Sequence, residues 1–496
     1  MSPSSFDFAS WPPALTPEQQ AILVQKATTR ALATGLLYLP PGYPPDSPPP
    51  QAAIHAPLSL FPAPFPRESF EQAQDEIMGA EKGVGRVDDF IGQLWRGWKA
   101  MRDSGKISQH LHLGLFRSDY LYHIPETGDT SLKQVEFNTI SVSFGCLSQR
   151  IAELHRHLLL ATSYFELSPY LKPDNLPKND TIAGLAKGLA AGHVAYVSSG
   201  GSPSSMILFV VQPGERNVFD QRWLEYELLE THGIHSIRQT FEDLLTSSSV
   251  DASSSILLIS PSGVEISVVY YRSGYMPNEY PSQEYYDTRF RLEESRAIKC
   301  PTIALQLAGG KKVQEVLGKP GVVERFLPGV PQARVNDLRN MFMDMWGLDE
   351  GGVSSTGDEP AGTRKAREEH PTLVLKPQRE GGGNNVYKDD IPAFLGSLPA
   401  HEREAWIAMR LIEVPKKVGG WLVRAGNLDY ASAGGEERAV QAEVVSELGI
   451  FGWSLFGGGE VEKEDEVGWL VRTKGKDSNE GGVATGFSVL DSVLMV

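Results

Sequence analysis

Cysteine is nearly absent from this chain: Cys146 and Cys300 are the only two among 496 residues. Two thiols build neither a disulfide framework nor a thiolate metal site, so the fold has to rest on a packed core, and a reducing compartment is its natural home. Long apolar runs are missing as well. No stretch reaches the about 18 apolar residues expected of a membrane-spanning helix, and the opening MSPSSFDFASWPPALT has no basic segment followed by an apolar one. The reading is a soluble, cytoplasmic protein without a membrane partner. Basic residues are also outnumbered, 46 against 62 acidic, for a formal charge of -16. That balance disfavours nucleic acid as a partner, and an anionic ligand would have to be met by cations concentrated locally.

A chain of 496 residues has room for two or more domains. Val87, Phe90, Ile91, Leu94, Trp95 and Trp98 recur at helical spacing, which predicts a helix over 86–101 with one wide apolar face. Between about 190 and 275 the apolar runs HVAYV and MILFVV precede a helical stretch, FDQRWLEYELLETHG, that closes at Gly233. The strand-like runs IHSIRQT, ILLIS and ISVVYY follow. Short β-branched runs around a helix predict a βαβ-type unit, a compact α/β lobe with a mostly parallel sheet beside a larger α+β body. Three segments read as surface: PPGYPPDSPPP (40–50) as an extended loop, and 351–370 and 425–437 as solvated insertions. The acidic run EVEKEDE (460–466) reads as a charged turn.

Four stretches carry chemistry. In LVLKPQREGGGNNVYKDD (373–390) a buried strand is expected to end near Lys376, before a loop in which Gly381, Gly382, Gly383, Asn384 and Asn385 bare the backbone. Such a loop can cradle a polyanion, although glycine runs of this kind are more often plain turns. In QVEFNTIS, strand alternation puts Glu136 and Asn138 on one face; a carboxylate and an amide oxygen suit Mg²⁺, with Glu380 as a possible third ligand. GERNVFDQRW and VVYYRSGYMP end strands of the α/β lobe, where ligands bind. Arg272 suits a fork onto a carboxylate, and Glu215, Asn217 and Gln221 can receive an ammonium or peptide group. Near the C-terminus, Arg472 and Lys474 followed by the glycine-rich KDSNEGGVATG look like an anion clamp beneath a lid. The HLH at 110–112 and HRH at 155–157 lack a third placed ligand and read as satisfied or surface histidines.

These segments come in one order together with IHAPLSLFPAPFP, LGLFRSDY, VEFNTISVSFG, KCPTIALQLAGGKKVQ, SELGIFG and LVRTK. From about Pro57 to its last residues the chain thereby resembles the eukaryotic glutathione synthetase family of the ATP-grasp superfamily. The resemblance implies ATP-dependent ligation of γ-glutamylcysteine to glycine, usually by a homodimer using Mg²⁺. It implies an ATP-grasp body over 1–203 and 309–496, the second part with the lid, and an inserted substrate-binding domain over 204–308. By the same resemblance Glu136, Asn138 and Glu380 hold the metal, and Lys311, Lys376 and the Gly381–Gly383 loop with Asn384 and Asn385 hold the phosphates. Tyr387, Met409, Ile412, Glu447 and Lys474 contact the nucleotide. The segment Met409-Arg410-Leu411-Ile412 departs from the family's usual Met-Glu-Lys-Ile. Arg117 faces the transferring phosphate, and Ser141, Ser143, Glu215, Asn217, Gln221, Arg272 and Tyr275 hold the dipeptide. Arg472 and the backbone of Val483 and Ala484 bind the peptide end or glycine. Arg117, Lys311, Lys376 and Arg472 are the implied catalytic cations, and both glycine-rich loops are expected to act as lids. A ligase with another acceptor, such as β-alanine, and a non-catalytic nucleotide-binding protein are the alternatives.

Overall fold

The computed structural model describes residues 7–45, 49, 52–65, 88–127, 129–327, 329–351, 359–379, 384–423, 439–457, 460–476 and 488–496. Three sheets of four or more strands organise them, with two small two-stranded ones beside them, in a mixed α/β architecture. The largest has seven strands in the order Gly419–Val423, Leu58–Ser59, Ser488–Asp491, Glu460–Gly475, Val440–Gly457, Leu111–His123 and Ser131–Asn138. Neighbours run antiparallel except for one parallel contact between Leu58 and Leu490. One face of this sheet packs on helices Gly145–Thr162 and Thr181–Ser198 through a core that includes Leu113, Leu115, Leu185, Leu189, Phe451 and Trp453.

The second sheet has the mostly parallel order expected of the βαβ-type unit, and is called the lobe below. Ser236–Thr240, Met206–Val211, Val264–Tyr271 and Ile298–Cys300 lie parallel, and Leu257–Ile259 and Ser248–Val250 extend the sheet antiparallel. The expected helix spans Val218–His232 and ends where Gly233 takes the left-handed conformation, at φ 68, which a side chain would resist. HVAYV departs from expectation. It is the last part of helix Thr181–Ser198, whose buried positions Ile182, Leu185, Ala186, Leu189, Ala190, His193 and Tyr196 keep helical spacing. Gly184, Gly188 and Gly192 recur every fourth residue and let this helix lie close against Val467, Trp453 and Leu113.

The third sheet runs Met345–Gly347, Trp406–Arg410, Leu373–Pro377, Val386–Tyr387, antiparallel throughout. Its core takes Ala366 from helix Ala361–Glu368, where Thr363 donates to Leu348 O at 2.7 Å and Trp346 Nε1 to Gly362 O at 3.0 Å. The described part of 351–370 is therefore packed against the core, contrary to the reading as a solvated insertion. EVEKEDE is not a turn but the start of strand Glu460–Gly475, paired with Val440–Gly457. The predicted helix over 86–101 spans Asp89–Asp103, capped by the Asp88 carboxylate on Ile91 N at 3.0 Å. Residues 86–87, 425–437 and, within the proline-rich loop, 46–48 and 50 lie outside the described residues. No described helix is long and apolar enough to cross a membrane.

Candidate active site

Strand register gathers the charged residues on one face of the large sheet. Asn138 pairs with Arg117 and Glu136 with Asp119. Across the next boundary Asp119 pairs with Gly449, and Glu447 with Arg472 on the strand beyond. Because side chains alternate, Glu136, Asn138, Arg117, Asp119, Glu447 and Arg472 share one face, and Lys474 follows Arg472 on it. The ion pairs follow from that register. Arg117 forks onto Asp119 with Nε and Nη2 at 2.6 and 2.8 Å, Arg472 Nη2 reaches Asp119 at 3.1 Å, and Arg472 also bonds Glu447. Asn138 Nδ2 donates to Asp119 at 3.0 Å and to Arg117 O at 3.3 Å, which leaves its carbonyl oxygen for another partner.

Two buried lysines come to the same place from other elements. Lys311, at the start of helix Lys311–Gly318, lies 3.2 Å from Glu136. Lys376, within strand Leu373–Pro377, donates to Val135 O at 2.7 Å. Burial works to raise the Glu136 carboxyl, but Lys311, Lys376, Arg472 and Arg117 overcome it and hold the group well below the usual carboxylate range. Burial brings Lys376 down to about 8, with Glu136 pulling upward and Lys311 downward. Arg472 stays a cation despite burial, since Glu447, Asp119 and Glu136 all favour its charge. Among the described residues no group of three His, Cys, Asp or Glu side chains could hold a metal. An ionised Glu136 and a free Asn138 oxygen nonetheless form a hard-oxygen pair of the kind Mg²⁺ accepts when phosphates complete its shell.

The segment between Asn138 and helix Gly145–Thr162 joins this face to the lobe. Thr139 donates to Gln306 O at 3.2 Å, Ser141 to Tyr271 O at 3.1 Å, and Arg272 to Val142 O, while Ser143 O lies 3.5 Å from Arg117 Nη1. Ser141 and Phe144 sit at φ 54 and 67, left-handed backbone that costs about 1 kcal/mol or more at a non-glycine residue. On the lobe side Glu215 accepts from Gln221 Nε2 and Asn217 N, each at 2.7 Å. Arg272 is buried near Tyr270, Asp220 and Glu215, and Gln212 donates to the Tyr275 hydroxyl at 2.9 Å. Among the described residues Asn217 Oδ1 and Arg272 Nε find no hydrogen-bond partner although buried, as groups awaiting a polar ligand would.

Sequence comparison places this arrangement in a family. The pattern described as eukaryotic glutathione synthase, ATP binding domain, matches residues 17–495. The chain belongs to the eukaryotic glutathione synthase family. The mouse and human proteins named glutathione synthetase are each 38% identical to it over 502 residues, covering 97% of this chain and 98% of theirs. The large chain of glutathione synthetase from Schizosaccharomyces pombe is 35% identical, covering 96% of this chain and 98% of its own. A glutathione synthetase-like effector of Globodera pallida, solved in its apo form, shares the fold. Its TM-score is 0.70 at 21% identity, over 97% of this chain and all of the other.

The residues that family resemblance singled out fall into two neighbouring sets. Arg117, Glu136, Asn138, Lys311, Lys376, Glu447 and Arg472 meet on the large sheet, with Lys474 two residues along. Ser141, Ser143, Glu215, Asn217, Gln221, Arg272 and Tyr275 line the seam to the lobe. Met409 and Tyr387 lie on the third sheet, both opposite Val374; Ile412 is half-buried just past its edge, and Asn385 donates to the Tyr387 hydroxyl at 3.3 Å. Glu380, Gly381, Gly382, Gly383, Val483 and Ala484 lie outside the described residues, so neither expected lid is described as a whole. One histidine of each motif is satisfied, His112 by Thr302 at 2.8 Å and His155 by Ser492 and Ser59, while His110 is exposed and His157 half-buried.

Three acidic residues escaped the sequence reading. Asp119 is fully buried at the centre of the ionic face; its signal was the Arg-Ser-Asp alternation in FRSDY, the same two-residue step that marked Glu136 and Asn138. Asp220 accepts from Phe144, Cys146 and Leu147 N at 2.7, 2.9 and 3.1 Å, and so caps helix Gly145–Thr162, whose own first residues supply no side-chain cap. Glu279 gathers Gly274, Tyr275 and Met276 N at 2.8–3.0 Å and fixes the turn that presents Tyr275. Neither had a sequence signal, because each binds backbone amides brought up by the fold.

Proposed function

We propose that this chain, an ATP-dependent ligase that makes glutathione, divides the reaction between the two sets of residues just described. A carboxylate is a poor acyl donor. The γ-phosphoryl group of ATP is therefore moved first to the cysteinyl carboxylate of γ-glutamylcysteine: a carboxylate oxygen forms the new P–O bond as the bond to ADP breaks. The glycine amine then attacks the acyl carbon, the C–O bond to phosphate breaks, and the amine proton leaves to solvent or phosphate. Two anions have to meet in the first step, and the concentration of Arg117, Lys311, Lys376 and Arg472 around one carboxylate is the observation that carries this reading.

In this division Lys311 and Lys376 take the phosphates, with Gly381–Gly383, Asn384 and Asn385. Arg117 takes the transferring group, and Tyr387, Met409, Ile412, Glu447 and Lys474 the nucleotide. Glu215, Asn217, Gln221, Arg272, Tyr275, Ser141 and Ser143 hold the dipeptide, with its carboxylate turned toward the seam. Arg472, with the backbone of Val483 and Ala484, holds the peptide end or glycine. Glu136, Asn138 and Glu380 would hold Mg²⁺, which when bound neutralises phosphate charge. No general base is demanded, since positioning and charge supply most of the acceleration. The chain divides at 1–203, 204–308 and 309–496, works as a cytoplasmic homodimer, and takes glycine as acceptor.

The test is phosphate release from ATP with Mg²⁺ and γ-glutamylcysteine, with and without glycine, while the peptide product is followed by mass. Glycine-dependent phosphate matched one-to-one by glutathione is expected. Turnover only with another amino acid would overturn glycine as the acceptor, and ATP binding without turnover would overturn the ligase.

A further inference from the structure

We infer that Asp119 is a positioning residue of this site: its buried carboxylate sets the Arg117 and Arg472 guanidinium groups and the Asn138 amide in the arrangement that receives the substrates. The inference rests on the function proposed above. Asp119 is wholly buried, yet it touches no substrate position assigned there; every polar contact the structure gives its carboxylate is to another member of the site. Oδ1 accepts from Arg117 Nε, and Oδ2 gathers Arg117 Nη2, Arg472 Nη2 and Asn138 Nδ2. Asp119 and Arg117 stand on Leu111–His123, Asn138 on Ser131–Asn138 and Arg472 on Glu460–Gly475, so one oxygen ties three strands together.

Strand Val440–Gly457 lies between Asp119 and Arg472, and Gly449 is the reason the contact across it exists. A Cβ there would lie 2.7 Å from Arg117 Cδ and 2.8 Å from Asp119 Oδ1. The absent side chain leaves the space in which the two arginines converge. Asp119 also fixes the Asn138 amide: with Nδ2 committed to the carboxylate and to Arg117 O, the oxygen is the end left for a cation.

A carboxylate among cations has a second reading, that it only tempers their charge. The two readings differ in sign. If Asp119 merely tempers charge, Asp119→Asn raises the positive potential and tightens the binding of anionic substrates. If it positions, the same change releases both guanidinium groups and lets the Asn138 amide turn over, and binding loosens.

The experiment compares wild type, Asp119→Asn, Gly449→Ala and Ser118→Ala. Ser118 points to the opposite face of the same strand, where Gln134 donates to it at 2.9 Å, so its loss reports a structural effect alone. Titration calorimetry gives the dissociation constant for γ-glutamylcysteine, electron paramagnetic resonance that for Mn²⁺ as probe of the divalent site, and steady-state rates separate kcat from KM. Asp119→Asn is expected to weaken both ligands at least about tenfold and to lower kcat, against no change in either dissociation constant for Ser118→Ala. Unchanged or tighter binding of γ-glutamylcysteine in Asp119→Asn would overturn the assignment, whatever the effect on Mn²⁺, which loses affinity on either reading. If Asp119→Asn does not fold, Gly449→Ala decides, because it displaces the same pair without altering charge: dipeptide binding weakened several-fold supports the assignment, and wild-type binding overturns it. A wild-type chain that makes no glutathione would overturn the underlying function instead, which the assay of the unmutated protein shows separately.

Discussion

Lys376 is pulled in two directions: burial and the neighbouring Lys311 disfavour its charge, and Glu136 favours it. The balance leaves a cation that is only just held and poorly solvated, which is the state in which an added phosphate gains most from it. Lys376→Met keeps the stem and removes the charge. It is expected to weaken ATP binding at least about tenfold and to slow turnover about 100-fold, read by calorimetry with a non-hydrolysable ATP analogue and by phosphate release. A second balance lies around strand Ser488–Asp491 of the same sheet. Asp491 accepts from Ser59 at 2.5 Å and Thr473 at 2.6 Å, with Tyr164 nearby, and burial pushes its carboxyl up to about 7. His155, bonded to Ser492 at 2.6 Å and to Ser59, is lowered by burial to about 4. The signs oppose. The raised Asp491 binds its proton more tightly when folded, so its contribution is full at low pH and is lost as pH rises toward 7. The lowered His155 contributes fully above about 6.5 and loses that contribution as pH falls through about 4. Between about 4 and 6.5 the two offset each other, so removing one exposes the other. Stability of His155→Gln relative to wild type should rise by about 1 kcal/mol per unit as pH falls through that window, and that of Asp491→Asn should fall; denaturant midpoints at several pH values measure both.

The helix Thr181–Ser198 shows how a single element fits its place. At Gly188 an added Cβ would sit 2.6 Å from Trp453 Cγ and 3.0 Å from two further atoms of that side chain, which is itself 3% exposed. Alanine would gain up to about 1 kcal/mol of helix propensity there but has no room, and overpacking of this kind costs about 1–3 kcal/mol. Gly188→Ala is therefore expected to destabilise by about 1 kcal/mol or more, with the denaturant midpoint as the measure; a stabilised variant would show that the helix can move off the sheet. The same helix marks where sequence reading stops. HVAYV looked like strand because Val and Tyr favour strands, whereas the glycine spacing of four that betrays close helix packing was there to be read. EVEKEDE looked like a turn because its part of strand Glu460–Gly475 is paired on one side only and carries charge, as exposed edges do. Helix Val218–His232 and strand Leu373–Pro377 were legible, since a glycine cap and a proline-bounded apolar run are local signals. At the site, Glu136, Asn138, Arg272 and Arg472 were legible by residue type and neighbours. Asp119 carried only the Arg-Ser-Asp alternation of FRSDY, and Asp220 and Glu279 carried no signal, because their roles exist only once chain crossings have brought backbone amides to them.

On the scale of the molecule, residues 139–144 are one of the places where the large sheet meets the second, through Thr139, Ser141 and Val142 to Gln306, Tyr271 and Arg272, beside a shared hydrophobic core. The nucleotide and most of the dipeptide's contacts are assigned to opposite sides of that seam, so each ligand should stabilise the protein largely by its own contacts. A ligand at 100 times its dissociation constant adds about 2.7 kcal/mol, whichever side it occupies. Substitutions on either side should then separate the two effects. Arg272→Ala is expected to abolish the rise in unfolding midpoint produced by γ-glutamylcysteine and to leave the rise produced by ATP. Lys376→Met should do the reverse, with scanning calorimetry at matched ligand saturation as the measurement. Loss of both rises in Arg272→Ala would mean that the seam transmits more than it joins: Arg272, bonded to Val142 O and so to the segment that begins at Asn138, would be holding the nucleotide side in shape as well. Retention of both rises would remove Arg272 from the dipeptide site altogether, and with it the case for the lobe as the part of the chain that binds the dipeptide.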